Sequence, residues 1–132
     1  MKTTTSTTAA LTLAMLPALG TLMQGGTYAG CITQPDGTLA AVILLPGMGE
    51  GLTWAKAKAW AKKQGGVLPT RPVAALLYAY LKGQLRPRWH WTSDAYDASS
   101  AWYCDFGSGF QNIRDVRSEA CAVAVRLIHI KA

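Results

Sequence analysis

Apolar and polar positions follow different rules in different stretches of this chain, and the switches between them mark its elements. Thr27–Thr33 and Leu39–Leu45 are short runs rich in strand-forming residues, separated by Gln34-Pro35-Asp36-Gly37. Asp-Gly supplies the left-handed backbone that a tight turn needs, so the segment predicts a hairpin. The return run carries Val42, Ile43, Leu44 and Leu45 without polar alternation, which predicts a strand covered on both faces. Pro46-Gly47-Met48-Gly49 ends it.

A helical period comes next. Thr53 is a suitable N-cap, and Trp54, Ala57, Trp60 and Ala61 recur on one face while lysines line the other. Gly65-Gly66 supplies the stop. Thr70 opens a second helix that tolerates Pro72 in its first turn. Its expected buried stripe is Val73, Leu76, Leu77, Tyr80 and Leu81, and Gly83 ends it. Beyond Arg88 the period shortens to two. Strands are expected over Trp89–Ser93, Ala101–Phe106 and Ala120–Ile128. In the second, Trp102, Cys104 and Phe106 share one face and Tyr103 and Asp105 the other. The last is apolar on both faces and reads as one central strand. A hairpin, two helices and a loop-rich antiparallel sheet make an α+β domain with no internal repeat.

Residues 1–24 break this regularity. A Thr-rich start leads into an apolar stretch interrupted by Pro17 and Gly20. The segment reads as an N-terminal anchoring arm that gains order only by packing on something else, ahead of a domain over 25–132. Lys2, the apolar run and Ala29-Gly30-Cys31 imitate a secretory or lipoprotein signal. The single basic residue and the interrupted run weaken that reading. The run is also too short for a membrane span, so no membrane insertion is expected.

Composition narrows the classes. Half of the 132 residues are hydrophobic and 15% are charged, which suits one domain with a proper core and excludes a disordered chain. The net charge of +6 raises nucleic-acid binding. The basic residues are dispersed, however: Lys56, Lys58, Lys62 and Lys63 on one helix, Arg86 and Arg88 in one loop, Arg114 and Arg117 in another. A solvated basic face, set against an acidic partner, is the preferred meaning, and no nucleic acid is expected. Cys31, Cys104 and Cys121 are odd in number and lack a CxxC pair, so no zinc site and no cofactor are expected.

GGTYAG, ILLPG, LTWAKAKAWA, GGVLPTR, ALLYAYLK, WHWTSD, SAWYCDF and AVAVRLI stand in this order along the chain. Together they resemble the Lcl C-terminal domain family, found in phages, prophages and bacterial surface proteins. The resemblance spans Pro17 to Ile128. It implies a C-type-lectin-like fold, of the kind shared with formylglycine-generating enzymes and phage adhesins, with two helices on a twisted antiparallel sheet and long loops. It also implies a virion structural protein made in the host cytoplasm. Such a protein would be displayed as a capsid decoration or tail-associated adhesin, within a homo-oligomer, and the arm would join it to other virion proteins. The alternative setting is a secreted or lipid-anchored bacterial surface protein with the same ligand-binding domain. Family members often carry an acid shortly after Thr-Trp and after Pro-Thr-Arg. Lys56 and Val73-Ala74 stand here instead, so the first capping box lacks its reciprocal acid.

The aromatic residues divide on this basis. Trp54, Trp60, Trp91 and Trp102 are expected to pin helices to sheet. Tyr96, Tyr103 and Phe110 are the better candidates for stacking on a sugar, because they fall in loops or on the outward side of a strand. With Asp94, Asp97, Asn112 and Arg114 they form the candidate ligand-binding set for a host-surface glycan or protein. Gln34-Pro35-Asp36 reads as a turn, and Asp94, Asp97, Asp105 and Asp115 as solvated carboxylates, so no metal ligands are assigned. No nucleophile, base and orienting acid suggest themselves, and the strand cysteines read as packing groups, so an enzyme is not expected and no catalytic residue is assigned. Arg71 and Arg126 are expected to play structural parts, by default as ion pairs; Arg126 needs a carboxylate, Glu119 or Asp105, or else backbone carbonyls.

Overall fold

The computed structural model describes residues 11–131. It is a mixed α+β domain of two helices and two five-stranded sheets. The strands are β1 Leu11–Thr12, β2 Leu22–Met23, β3 Gly26–Thr33, β4 Leu39–Leu44, β5 Gly49–Leu52, β6 Trp89–Ala95, β7 Ser100–Asp105, β8 Gln111–Asp115, β9 Ala120–Ala122 and β10 Val125–Lys131. The helices are α1 Trp54–Lys63 and α2 Arg71–Leu81. One sheet has the order β1-β10-β4-β3-β2 and the other β5-β9-β6-β7-β8.

The hairpin forms as the Asp-Gly signal predicts. β3 and β4 pair antiparallel, Gly37 takes a φ of +86°, and the Asp36 carboxylate accepts from the Thr38 N–H at 2.9 Å. β4 is buried at every position from Ala40 to Leu44, as its unbroken apolar run requires.

The stretch from Ala120 onward differs from its expectation as one strand. It breaks at Val123–Ala124: β9 lies between β5 and β6, whereas β10 lies between β1 and β4. The break occurs where the Ala124 carbonyl accepts from Leu45 N–H and Val125 bridges Val67. Both halves are central, so the even apolar pattern hid the joint. Gly66 beside it admits no side chain, because a Cβ there would fall on the Val125 carbonyl oxygen.

Both helices start at the predicted threonines, but the side-chain caps are long, at 3.5 Å from Lys56 N to Thr53 and 3.4 Å from Val73 N to Thr70. α2 buries Val73, Ala74, Leu77 and Leu81. Tyr80, expected on that stripe, is 56% exposed, and Tyr78 packs against the core instead. Trp91 is wholly buried and its indole N–H donates to the Leu52 carbonyl at 2.9 Å. Trp54, Trp60 and Trp102 are half-buried. Trp54 donates to the Thr92 carbonyl at 2.8 Å.

The arm expected over 1–24 divides. Residues 1–10 lie outside the described residues. Leu11–Thr12 pairs parallel with Ile130–Lys131, and Leu22–Met23 pairs with Gly26–Thr27, so the later part is built into one sheet. It nonetheless leaves Leu13, Met15, Leu19 and Leu22 exposed. Among the described residues no helix is long and apolar enough to cross a membrane.

Candidate functional site

The face of β6, β7 and β8 that packs on α2 carries His90, Thr92 and Asp94, then Trp102 and Cys104, then Gln111 and Ile113. The first turn of α2 lies at one end of this face. Asp94 Oδ2 accepts the Arg71 N–H at 2.7 Å. A carboxylate from β6 thus sits at a helix start that has no acid of its own in its first turn. The Arg71 side chain then lies over Trp102, its guanidinium carbon 3.5 Å from the ring centre. Its Nε–H donates to Gln111 Oε1 at 2.9 Å, and Gln111 Nε2 donates back to the Arg71 carbonyl at 2.9 Å. Three elements distant in sequence are locked together by these bonds.

A shallow depression of about 740 Å³ opens beside this network, lined by Arg71, Pro72, Asp94, Gly109, Phe110 and Gln111, with Ala75. Its size is that of small-ligand clefts, about 300–1,000 Å³. Phe110 is 57% exposed at its edge. Tyr96, equally exposed, meets Trp102 edge-on with centroids 6.0 Å apart. Gly109 holds the Phe110 turn in place at φ +82°, where any Cβ would meet the Tyr78 ring at 2.8 Å.

Of the residues named from the sequence, Asp94 and Phe110 line this depression; Tyr96 does not line it and packs edge-on against Trp102 instead. Asp97 is exposed and holds its own turn by accepting from Ser99 N–H at 2.9 Å. Tyr103, Asn112 and Arg114 are on the opposite face of the sheet. Tyr103 was expected to face outward. It is 7% exposed, because Trp89 stacks on it at 4.9 Å and it packs with Trp91 and Ala101 in the core. Arg114 lies 4.2 Å from the Trp89 ring centre. Asn112 Oδ1 accepts from the Ile113 N–H at 2.8 Å. Arg71, Gln111 and the half-open Trp102 had no sequence signal as a group, since the bonds joining them cross 23 to 40 residues.

No protein-family model matches the chain, and no curated protein matches it.

The remaining ionisable groups point to packing roles. Burial pushes the Cys104 thiol up to about 11 and raises Cys121 as well, away from the reactive thiolate. Burial lowers His90, which donates from Nδ1 to the Arg88 carbonyl at 2.8 Å and keeps Nε2 buried without a partner. Tyr28 is pushed up to about 12 by burial and by its contact with Cys31 at 3.3 Å. All three cysteines are unbonded. Among the described residues no three His, Cys, Asp or Glu side chains converge as a metal site requires. The expected ion pair of Arg126 does not form among the described residues: it donates to the Gln24 carbonyl at 2.9 Å, and Arg71 likewise bonds to Gln111 and not to a carboxylate.

Proposed function

We propose that this chain is a non-enzymatic binding module with a C-type-lectin-like fold. In this reading it is a phage virion structural protein, displayed as a capsid decoration or tail-associated adhesin that engages a host-surface glycan or protein. The ordered motifs that resemble the Lcl C-terminal domain family carry the setting, and the mixed α+β architecture is compatible with the fold.

One observation carries the binding role. Phe110 stands exposed at the edge of a floor of Arg71, Asp94 and Gln111 whose side chains are already fixed by the protein, and Tyr96 stands exposed against Trp102, the ring beneath Arg71. An exposed ring beside preset polar groups suits the apolar face and hydroxyls of a pyranose, with little ordering cost on binding. The raised thiols and the buried neutral imidazole support a role without chemistry. Leu13, Met15, Leu19 and Leu22, exposed along the stretch before β3, are the surface a neighbouring subunit would cover.

A glycan array and host-cell binding assay on Tyr96→Ala and Phe110→Ala test the reading. Each change is expected to weaken binding about tenfold. Unchanged binding by both overturns the adhesin surface. A lipid-anchored protein would mature at Cys31. That cut removes β1, β2 and the first part of β3, including the wholly buried Ala29, from the sheet. Mass spectrometry is therefore expected to find no mature form that starts at Cys31.

A further inference from the structure

The Arg71 side chain gives the protein one hydrogen bond and keeps the rest of its donor capacity free among the described residues. Stacking on Trp102 covers a face of the guanidinium without taking any N–H. Nε is bonded to Gln111. Among the described residues no carboxylate lies within 4.0 Å of the group, the two ion pairs being Arg88–Glu50 and Arg117–Asp115. Nη1 and Nη2 have no hydrogen-bond partner among those residues either, yet Arg71 lines the depression beside Phe110. Asp94, the carboxylate in the same depression, already accepts the Arg71 backbone N–H through Oδ2.

We infer that the Nη edge of Arg71 is a carboxylate fork, and that the ligand of this depression is an acidic sugar such as a uronic or sialic acid. The inference rests on reading the depression as a ligand site. A guanidinium held over an indole with its Nε tied has its end donors restrained, and a carboxylate can meet them with two parallel hydrogen bonds. Phe110, Pro72 and Ala75 offer the apolar contact that a ring needs next to its carboxylate. A sugar fits better than an extended acidic peptide. The free edge of β8 next to Gln111 has its Ile113 N–H already taken by the Asn112 side chain, so that rung is closed to strand addition.

The test compares ligands on the unaltered protein. Glucuronate-terminated and sialic-acid-terminated oligosaccharides are titrated calorimetrically beside their methyl esters and neutral parents. The acids are expected to bind about 10- to 100-fold tighter than the esters, the range of one charge-assisted contact. Arg71→Gln is expected to abolish that preference and Arg71→Lys to restore only part of it, with thermal melts showing that both variants fold. Equal binding of acid and ester overturns the fork while leaving the ligand site standing. A preference unchanged in Arg71→Gln overturns it too. Binding of a Glu/Asp-rich peptide with none of the sugars overturns the sugar assignment, and binding of nothing removes the site along with the fork.

Discussion

The guanidinium carbon of Arg71 lies 3.5 Å over the centre of the Trp102 ring, joining the first turn of α2 to the middle of β7. Trp102 is half-buried, so its contribution comes from this contact and from Tyr96 as much as from burial in the core. Trp102→Leu is expected to cost about 1–3 kcal/mol in urea unfolding. The same change frees Arg71 and weakens any ligand at the depression.

Asp94 supplies from β6 the acid that α2 lacks. Its bond to Arg71 N at 2.7 Å is far shorter than the 3.4 Å contact made by the Thr70 cap. Asp94→Ala is therefore expected to lose about 1–2 kcal/mol and Thr70→Ala less, about 0.5–1 kcal/mol. Chemical denaturation of the two variants side by side checks the order.

Tyr103 and Tyr96 are one strand apart and differ in role. Tyr103→Ala is expected to destabilise by about 2–4 kcal/mol, because the ring is buried under Trp89. Tyr96→Ala is expected to stay within about 0.5–1 kcal/mol of the parent. Equal losses in thermal melts would place Tyr96 in the core.

His90 predicts an acid-sensitive fold. Burial lowers its folded pKa below the unfolded value of about 6.5. In the window between the two, the unfolded chain binds the proton and the folded one does not. Stability is thus whole above about pH 6.5 and falls as pH drops towards the folded value. The Asp115–Arg117 pair, with Asp115 held at about 2, loses its contribution only at much lower pH, below about 4. Urea midpoints between pH 7.5 and 5 should fall for the parent and flatten in His90→Gln.

The parts of the fold legible in the sequence were those encoded locally. Thr53 and Thr70 announced the helices and Asp36-Gly37 the hairpin, since caps and turns involve neighbours in the chain. Strand β8 was missed because Gln-Asn-Ile-Arg-Asp has no alternating apolar face; it is an edge strand held by its register with β7. The joint at Val123–Ala124 was invisible because both flanks are apolar, and β5 because Gly49 and Gly51 carry no pattern. Tyr103 is buried and Trp102 half-open because Trp89 covers the face of β7 that its polar Asp105 marks as solvated, a contact between strands that the sequence of β7 does not encode. Asp94, Phe110 and Tyr96 could be named singly, but their grouping around Arg71 depends on distant residues converging.

The passage from β9 into β10 also has a mechanical meaning. β9 touches β6, the strand that bears Asp94, through His90 and Cys121, while β10 is hydrogen-bonded to Leu11–Thr12 near the start of the chain. A load applied at the depression would therefore cross between the sheets along peptide bonds instead of prying apart a side-chain seam. Because β9 is held by β5 and β6 and β10 by β1 and β4, this joint is expected to resist a pull that parts the two sheets.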